Sequence, residues 1–408
     1  LALILICLGG GFGWLLILLG QSNLFGSLPI DTILPEGYTF YLLYGLPHLA
    51  LARIGLLSGL LFTFHALTLK SRWMPTMIFA GLCWLVMALC VPFYIGVLYA
   101  ILGVWGLAAL LRYRRFPTAL FVRCVVGALV PFPYFVYNLY IFAANPVLKA
   151  WAVQNTLPSP NPIHYVFGYG LLAVLALPAI RWAWQRGLHR TPYLLLPAWV
   201  IAAPVLAYLP ISVQRRLLEA IFVPLCILAV MGLRLWWMGS GVRRYPRRAK
   251  LVWREAVIGV IMLLLPTSLL LLVGGVTAPS QAGLSDNLFH TSREIAALDW
   301  LNTHSVPDSV VLSTLETGNY LPAQASLRTY IGHSPETINL DAKRDLATRF
   351  FEGKLTETEQ RSLFDDNRIR YVIYDPGVPP IDSPDLISIY SGDQGDRGGY
   401  AIYEVRQR

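Results

Sequence analysis

The chain has 408 residues, of which 56% are hydrophobic and only 13% are charged. Soluble domains are about half apolar and about a quarter charged, so this composition excludes a protein that is soluble throughout. The net charge of +9 is unevenly divided, because residues 1–276 carry 20 basic and 4 acidic side chains whereas 277–408 carry 12 and 19. The positive total therefore does not indicate nucleic-acid binding, and we expect no nucleic-acid partner.

Residues 1–276 form a series of apolar runs about 20 residues long, the helix length that crosses the hydrocarbon layer of a bilayer. The fold class predicted from this pattern is a polytopic α-helical membrane protein with about nine spans and a C-terminal soluble α/β domain. The predicted spans are 1–20, 46–69, 75–91, 93–111, 118–142, 164–182, 193–211, 216–237 and 255–276. Leu1 lies inside an apolar run that lacks the basic start and cleavage site of a signal peptide, so we expect further spans upstream.

The lysines and arginines predict the orientation, because short cytoplasmic loops collect basic residues. Alternate loops are nearly free of bases, with Lys149, Arg215 and Arg216 as exceptions. This pattern places loops 30–48 and 144–163 and the C-terminal domain outside the cytoplasm. The basic loops, predicted to be cytoplasmic, hold Lys70, Arg72, Arg112, Arg114, Arg115, Arg186, Arg190, Arg243, Arg244, Arg247, Arg248 and Lys250.

Residues 277–289 are predicted to be a linker and 290–408 a small α/β domain. The sequences Thr291–Glu294 and Thr356–Glu359 have the form of capping boxes, which predict helix starts. A further helix is expected over 340–352, and strands are expected near 308–314, 328–331, 370–374, 386–390 and 400–405. Alternating helices and strands favour an α/β domain. The chain has neither a GxGxxG nor a Walker sequence, so no nucleotide cofactor is expected.

The loop IDTILPEGYTFYLLYGLPH (30–48) holds Asp31, Glu36 and His48 and no basic residue. Carboxylates and imidazole are ligands of divalent cations, so these three residues are candidate metal ligands, although their spacing is irregular. A carboxylate here could also act as a general base. The alternative is a hydrated interfacial loop that caps a helix. Arg53 lies just inside the next span and needs an acidic partner, for which Asp31 and Glu36 are candidates.

Arg215 and Arg216, in VQRRLLEAIFVP, interrupt the pattern of uncharged outer loops. Arginine binds phosphate through its planar fork of donors, and a helix N-terminus favours an anion. The pair at the start of the predicted span 216–237 therefore indicates a phosphate site. The alternatives are snorkelling to lipid head groups, or pairing of Arg216 with Glu219 three residues later.

Two further stretches carry candidate residues. The loop WAVQNTLPSPNPIHY (151–165) holds Trp151, Gln154 and Asn155, and aromatic rings and amides are what a sugar-binding surface uses; an ordered loop with interfacial aromatics is the alternative. In the C-terminal domain, ETGNYLPAQASLRTYIGHSPET (316–337) holds His333 and Glu336. We regard these two as candidate contacts to an acceptor, while noting that a lone loop histidine is more often structural.

Taken in order, the stretches GGGFGWL, D-x-x-x-P-E followed by Pro47-His48, W-x-x-QN with SPxP, QRR, ETGNYLPA and GHSPET resemble a bacterial glycosyltransferase of the GT-C superfamily. Relatives in that superfamily include protein mannosyltransferases and lipid A aminoarabinose transferases. The resemblance covers nearly the whole chain, and it rests on the order of the motifs and on topology.

The resemblance implies a hexosyl or pentosyl transferase of the plasma (inner) membrane. Such an enzyme moves a sugar from a polyprenyl-phosphate donor to a glycan, lipid or protein acceptor at the extracytoplasmic face. It further implies that Arg215 and Arg216 bind the leaving phosphate and that Asp31, Glu36 and His48 line the site or hold a divalent metal. Arg53 is a further candidate for lining the site. The catalytic acid of such enzymes lies in the first outer loop, so we expect it upstream of Leu1.

Three alternatives remain open at this point. An O-antigen ligase or polymerase would use a polyprenyl-diphosphate donor and a large outer loop between spans. A transporter or flippase would have inverted repeats and helices broken by glycine or proline. A catalytically inactive scaffold would bind partners through its soluble domain.

Overall fold

The computed structural model describes residues 1–187, 191–239, 246–281, 289–334, 336–392 and 399–406. They form two compact units, which we call the membrane unit (Leu1–Leu148 and Thr156–Gly275) and the C-terminal unit (Lys149–Asn155 and Val276–Arg408). Of the predicted features, Arg190, Arg243, Arg244, the side chains of Arg247 and Arg248, and linker residues 282–288 lie outside the described residues.

The N-terminal two thirds of the chain is helical. Two 3-10 turns, Thr191–Leu194 and Gln214–Leu218, separate some of the helices. The helices are α1 (Ala2–Leu8), α2 (Gly13–Leu18), α3 (Ile30–Ile33), α4 (Thr39–Gly45), α5 (Pro47–Thr68), α6 (Trp73–Cys90), α7 (Tyr94–Tyr113), α8 (Thr118–Ala128), α9 (Phe132–Ala144), α10 (Pro146–Gln154), α11 (Ile163–Arg186), α12 (Leu195–Ala207), α13 (Phe222–Gly239), α14 (Pro246–Leu264) and α15 (Pro266–Gln281).

Five helices in the described part of the chain are long and apolar enough to cross a membrane: α5, α6, α7, α11 and α13. The number rises to seven if two bent pairs each count as one span. The pair α8 and α9 bends by 57°, and the pair α14 and α15 bends by 41°. Pro131 and Pro266 lie at these breaks, where the proline ring and its missing N–H disrupt a continuous helix. The prediction of nine spans is therefore wrong.

The two predicted spans that fail do so for local reasons. Residues 1–20 form the short helices α1 and α2 because Gly9, Gly10 and Gly11 interrupt the run, and glycine costs about 1 kcal/mol per position in a helix relative to alanine. The backbone at Gly11 also packs closely against helix α11, since a Cβ atom on Gly11 would lie 2.6 Å from the Gly168 Cα atom. Residues 193–211 form a 3-10 turn and the 13-residue helix α12, which is too short to cross a bilayer.

The C-terminal unit contains four helices and one five-stranded sheet. The helices are α16 (Ser292–His304), α17 (Leu315–Gln324), α18 (Leu340–Phe351) and α19 (Glu357–Asp366). The strands are β1 (Val310–Leu312), β2 (Arg328–Thr329), β3 (Ile369–Tyr374), β4 (Leu386–Ser391) and β5 (Ala401–Val405), in the order β2-β1-β3-β5-β4. Strands β2, β1 and β3 are parallel, with Val311 opposite Thr329 and Tyr371, whereas β5 runs antiparallel to β3 and β4.

All five predicted strands and the three predicted helices of this unit are present, and α17 is an additional helix formed by LETGNYLPAQ. The capping box at Thr356 is complete: its hydroxyl accepts from the Glu359 N–H, and the Glu359 carboxylate accepts from the Thr356 N–H. At Thr291 only the first of these two bonds is present, because the Glu294 carboxylate contacts His290 instead.

Candidate functional site

A buried ion pair between Arg53 and Glu219 lies at the centre of the candidate site. Arg53 Nε is 2.7 Å from Glu219 Oε1 and its Nη2 is 3.1 Å from Oε2, which is the bidentate geometry of the strongest arginine–carboxylate pairs. The exposed fractions of the two side chains are 4% and 0%. Arg53 also donates to Thr39 Oγ1 at 3.1 Å and to the Glu36 carbonyl at 2.6 Å. The prediction that Asp31 or Glu36 supplies the carboxylate partner of Arg53 is therefore wrong. The buried guanidinium instead has Glu219, the Thr39 hydroxyl and the Glu36 carbonyl as hydrogen-bond acceptors.

Glu36 connects this pair to Arg216, one of the two arginines that the sequence predicted to bind phosphate. Its backbone carbonyl accepts from Arg53 and from the Ala220 N–H, the latter at 2.9 Å, while its carboxylate is turned towards Arg216. Arg216 Nε lies 3.5 Å from Glu36 Oε1, and the Arg216 side chain is 38% exposed. The alternative in which Arg216 pairs with Glu219 is wrong, because Glu219 pairs with Arg53 and Arg216 with Glu36. Burial raises the pKa of Glu36 above its ordinary value, and the charge of Arg216 opposes that rise.

Arg215 and Arg216 lie on the 3-10 turn Gln214–Leu218 rather than at the start of a long helix. Helix α13 begins only at Phe222, after Ala220 adopts a left-handed backbone with φ of 55°. The expectation that a span begins at the arginines, and places its helix dipole beside them, is therefore wrong. The cationic character of this turn comes from the two side chains.

The turn is held by the loop that contains the SPxP sequence. The Leu157 N–H donates to the Ser212 carbonyl at 2.6 Å, and the Arg215 N–H donates to the Leu157 carbonyl at 3.3 Å. The Gln214 side chain accepts from the Ser159 N–H at 3.0 Å. Two motifs that are about 50 residues apart in the sequence, SPxP and QRR, therefore form one packed surface in the membrane unit.

Asp31 is buried at 3% exposure and fixes the glycine-rich segment that interrupts the first predicted span. Its Oδ2 atom accepts from Gly11 N–H at 2.8 Å, Gly13 N–H at 3.1 Å and Thr267 Oγ1 at 2.7 Å. Its Oδ1 atom has no hydrogen-bond partner among the described residues, and burial raises the pKa of this carboxyl. Asp31 therefore stabilises the backbone at Gly11 and Gly13 within the membrane unit. Its hydrogen bond from Thr267 was not predicted from the sequence.

The residues proposed as metal ligands do not form a metal site. His48 is exposed in the first turn of α5, whereas Asp31 and Glu36 are buried and engaged as described above. Within the described ranges, no three His, Cys, Asp or Glu side chains are grouped so that they could hold a metal ion. Asp31, Glu36 and His48 are therefore not arranged to hold one divalent cation together, and the prediction that they do is wrong.

The two candidate acceptor segments meet in the C-terminal unit. Gln154 Nε2 donates to the Thr337 carbonyl at 3.0 Å, and Gln154 Oε1 accepts from the Asn339 N–H at 3.1 Å. His333 Nδ1 contacts Glu336 Oε2, and these two side chains are 64% and 61% exposed. Trp151 and Asn155 flank Gln154 at the end of α10. Gln154 therefore positions the segment that follows the exposed His333–Glu336 pair.

One polar cluster of the C-terminal unit was not foreseen. Asp375, directly after β3, accepts from Thr314 Oγ1 and, at 2.9 Å, from Thr317 Oγ1, so it joins the carboxyl ends of the neighbouring strands β1 and β3. Burial raises the pKa of Asp375, and the two threonine hydroxyls oppose this rise. The signal in the sequence was an aspartate followed by Pro-Gly at the end of a buried strand.

No protein-family model matches the sequence, and no curated protein matches it. Among solved structures, the chain is similar to the oligosaccharyltransferase of Archaeoglobus fulgidus. The apo form has a TM-score of 0.43 at 14% identity over 80% of this chain and 52% of that chain. The AglB complex with an inhibitory peptide and a dolichol-phosphate has a TM-score of 0.42 at 13% identity over 79% and 51%.

The complex of that oligosaccharyltransferase with Zn and sulfate has a TM-score of 0.42 at 15% identity, over 80% of this chain and 49% of that chain. The chain thus spans about half the length of the solved structures it matches.

Proposed function

We propose that the protein is a membrane glycosyltransferase that moves a sugar from a polyprenyl-phosphate donor to an acceptor at the extracytoplasmic face of the plasma membrane. The proposal combines the membrane-spanning helices, the order of the sequence motifs and the arrangement of charges around Glu36. The acceptor would be a glycan, a lipid or a protein segment.

The observation that carries the proposal is the orientation of Arg216. Glu36 approaches Arg216 at Nε, and the Arg216 side chain is 38% exposed. Glu36 is itself fixed, because its carbonyl accepts from Arg53 and Ala220. A guanidinium that is held in place by a buried carboxylate loses less side-chain freedom when it binds a phosphate group, and its planar fork matches phosphate oxygens. Arg215, the adjacent residue on the same turn, would supply a second positive charge.

The carboxylates of the loop have a supporting role in this proposal. Asp31 is used to hold Gly11, Gly13 and Thr267, and Glu36 is used to hold Arg216. We therefore assign neither residue the role of the general base that deprotonates the acceptor hydroxyl. Arg53 would act as a positioning residue for the Glu36 turn, and His48 would lie at the rim of the site.

The acceptor side of the proposal rests on the exposed His333–Glu336 pair. Gln154 uses both ends of its amide on the backbone at Thr337 and Asn339, which fixes the segment after that pair. Trp151, Gln154 and Asn155 would thus support an acceptor surface, with His333 and Glu336 making the contacts.

The test measures binding of a polyprenyl-phosphate sugar by the full-length protein purified in detergent, together with sugar transfer in membranes. Arg216→Gln should weaken donor binding about 10- to 150-fold, which corresponds to the loss of a charge-assisted hydrogen bond worth about 1.5–3 kcal/mol. Arg216→Lys should fall between wild type and Arg216→Gln, since lysine keeps the charge and loses the fork. Glu36→Gln should weaken binding less than Arg216→Gln does.

The matched control is Arg72→Gln, which removes an exposed arginine from a loop on the opposite predicted side. Donor binding by this variant should equal that of wild type. The proposal fails if Arg216→Gln binds and transfers as wild type does, or if Arg72→Gln loses as much as Arg216→Gln.

A second candidate function is transport of a lipid-linked saccharide across the membrane. The two bent pairs favour it, because transporters often build their binding sites from discontinuous helices. Reconstitution in proteoliposomes separates the two functions. A transporter would equilibrate the donor lipid between leaflets without an acceptor, whereas a transferase would leave the donor in place until an acceptor is added.

A further inference from the structure

A second cationic region of the membrane unit surrounds a cavity of about 970 Å³. The cavity lies between the ends of α5, α7 and α8 and the 3-10 turn Thr191–Leu194. Its volume is at the upper end of the range of about 300–1,000 Å³ found for ligand sites. It is lined by Leu67, Thr68, Tyr113, Arg115, Phe116, Pro117, Thr118, Ala119, Leu120, Arg123, Thr191, Pro192 and Tyr193.

The cavity contains two guanidinium groups and no acidic side chain among the described residues that line it. Arg123 donates to the carbonyls of Ala66, Leu69 and Ala119 at 3.0–3.2 Å. Its guanidinium also lies 5.0 Å from the centre of the Trp73 ring. All of these partners are uncharged, so the orientation of Arg123 is fixed while its positive charge is not neutralised.

The Arg115 side chain, unlike that of Arg123, makes no hydrogen bond or ion pair with any residue that the structure describes. It is exposed, and it follows Arg114, whose left-handed backbone with φ of 53° ends α7 and turns the chain. The next residues, Pro117 and Thr118, begin α8, so the positive end of that helix dipole also borders the cavity. Three independent sources of positive potential therefore meet there.

The remaining lining indicates an amphiphilic ligand. Leu67, Phe116 and Leu120 provide apolar surface, whereas the hydroxyl groups of Thr118 and Tyr193 provide hydrogen-bonding atoms. The loops at this end also carry Lys70, Arg72 and Arg114, none of which lines the cavity. A soluble anion would use the cations alone, whereas a phospholipid would use the cations for its phosphate and the apolar surface for its glycerol and upper acyl groups.

We propose that this cavity, which we call the Arg115–Arg123 cavity, binds the phosphate group of an anionic phospholipid of the leaflet at the basic end of the membrane unit. Arg123 provides a fixed charge and Arg115 closes on the phosphate from the exposed side. Basic pockets between membrane helices on the cytoplasmic side are suited to such head groups, and each nearby Lys or Arg contributes about 1 kcal/mol to attraction. This site is separate from the Arg215–Arg216 turn and does not depend on the proposed transfer activity.

Native mass spectrometry of the full-length protein in detergent tests the proposal with phosphatidylglycerol and with phosphatidylcholine as the zwitterionic comparison. Wild type should retain phosphatidylglycerol in preference to phosphatidylcholine. Arg115→Gln should weaken phosphatidylglycerol binding about fivefold, the factor that corresponds to one nearby cation. Arg115→Lys should retain most of the binding. The fold is not at risk in these variants, since Arg115 is exposed and has no partner among the described residues.

The matched control is Arg72→Gln, which removes an arginine from the same end of the unit but outside the cavity lining. Its phosphatidylglycerol binding should stay within twofold of wild type. Equal binding by wild type and Arg115→Gln would overturn the proposal, and so would an equal loss in Arg72→Gln, which would indicate general surface attraction. Added inorganic phosphate distinguishes the source of the ligand: displacement of the lipid at millimolar phosphate supports a phosphate site open to soluble anions, and lack of displacement supports a lipid head group.

Discussion

Most acidic side chains of the membrane unit are buried, whereas most of those described in the C-terminal unit are exposed. In the membrane unit, Asp31, Glu36 and Glu219 are 3%, 5% and 0% exposed. Asp31 accepts hydrogen bonds from backbone N–H groups and a threonine, whereas Glu36 and Glu219 each pair with an arginine. In the C-terminal unit, typical ion pairs lie at the surface, as between Lys354 and Glu352, whose side chains are 65% and 47% exposed. Each of these three buried carboxylates therefore has at least one polar or cationic partner within the membrane unit.

The comparison has an energetic consequence. A buried ion pair gains little over an apolar pair of the same shape, yet removal of one partner is strongly destabilising because the other charge remains buried. An exposed pair is worth about 0–1 kcal/mol, since water screens it. Single substitutions of acidic residues should therefore have very different effects in the two units.

The largest effect is expected for Glu219→Ala, which leaves the Arg53 guanidinium buried without its carboxylate. We expect a loss of about 3–5 kcal/mol in the free energy of unfolding of the membrane unit. A thiol-reactive fluorophore can follow this unit selectively, because all five cysteines lie in it and Cys124 and Cys226 are buried.

Two variants sharpen this first prediction. The double substitution Arg53→Met with Glu219→Leu removes both charges and should recover most of the lost stability. Glu352→Ala breaks the exposed pair with Lys354 and should cost less than about 1 kcal/mol, measured by hydrogen exchange of the C-terminal unit. A loss for Glu219→Ala as small as that for Glu352→Ala would remove the contrast between the units.

The next effect is expected for Asp31→Ala, which leaves the Gly11 and Gly13 N–H groups without their acceptor and the Thr267 hydroxyl with only the Gly11 carbonyl at 3.4 Å. Each unsatisfied buried polar group costs about 1–3 kcal/mol, so we expect a loss of about 3 kcal/mol in the same thiol-reactivity assay. Asp31→Asn keeps one carbonyl acceptor and should lose less. Equal stability of wild type and Asp31→Ala would show that the glycine-rich segment does not depend on this carboxylate.

A smaller effect is expected in the C-terminal unit for Thr317→Val, which removes one of the two hydroxyl donors to Asp375. The expected loss is about 1 kcal/mol at neutral pH. Hydrogen exchange of the β3 amides measures it, and Thr303→Val provides a control because Thr303 is exposed and bonds only within its own helix and its neighbour His304. The prediction is contradicted if Thr317→Val and Thr303→Val exchange at the same rate.

The smallest expected effect is a pH dependence due to Asp375. Burial raises the pKa of this carboxyl in the folded state above its ordinary value of 3.8, so the folded state binds the proton more tightly than the unfolded state. Protonation therefore stabilises the fold: as the pH falls from neutral through the raised pKa towards 3.8, this contribution to stability rises. Asp375→Asn cannot titrate, so its stability should vary less with pH over that window. Hydrogen exchange of β3 across pH, corrected for intrinsic exchange, would contradict the assignment if both proteins changed alike.

Features that depend on neighbours in the sequence were predictable. The proline at position 47 marked the start of α5, the Thr356–Glu359 spacing marked the start of α19, and the aromatic and β-branched residues of 371–374 marked β3. Each depends on residues within one or two helical turns, or on one strand. The number of spans was not predictable from apolar composition and run length alone, because these do not show that the glycines at positions 9–11 break the run 1–20 or that the helix within 193–211 has only 13 residues.

The sequence by itself determined that the chain has a helical membrane part and a small α/β domain, and it identified Arg216, Glu36 and the GHSPET segment as residues of interest. Only the tertiary structure decided their partners. Arg53 pairs with Glu219, 166 positions away, and Gln154 binds backbone 183 and 185 positions away. The physical reason is that helix and strand formation depends on local periodicity, whereas the partner of a buried charge is set by which distant segments pack together and exclude water.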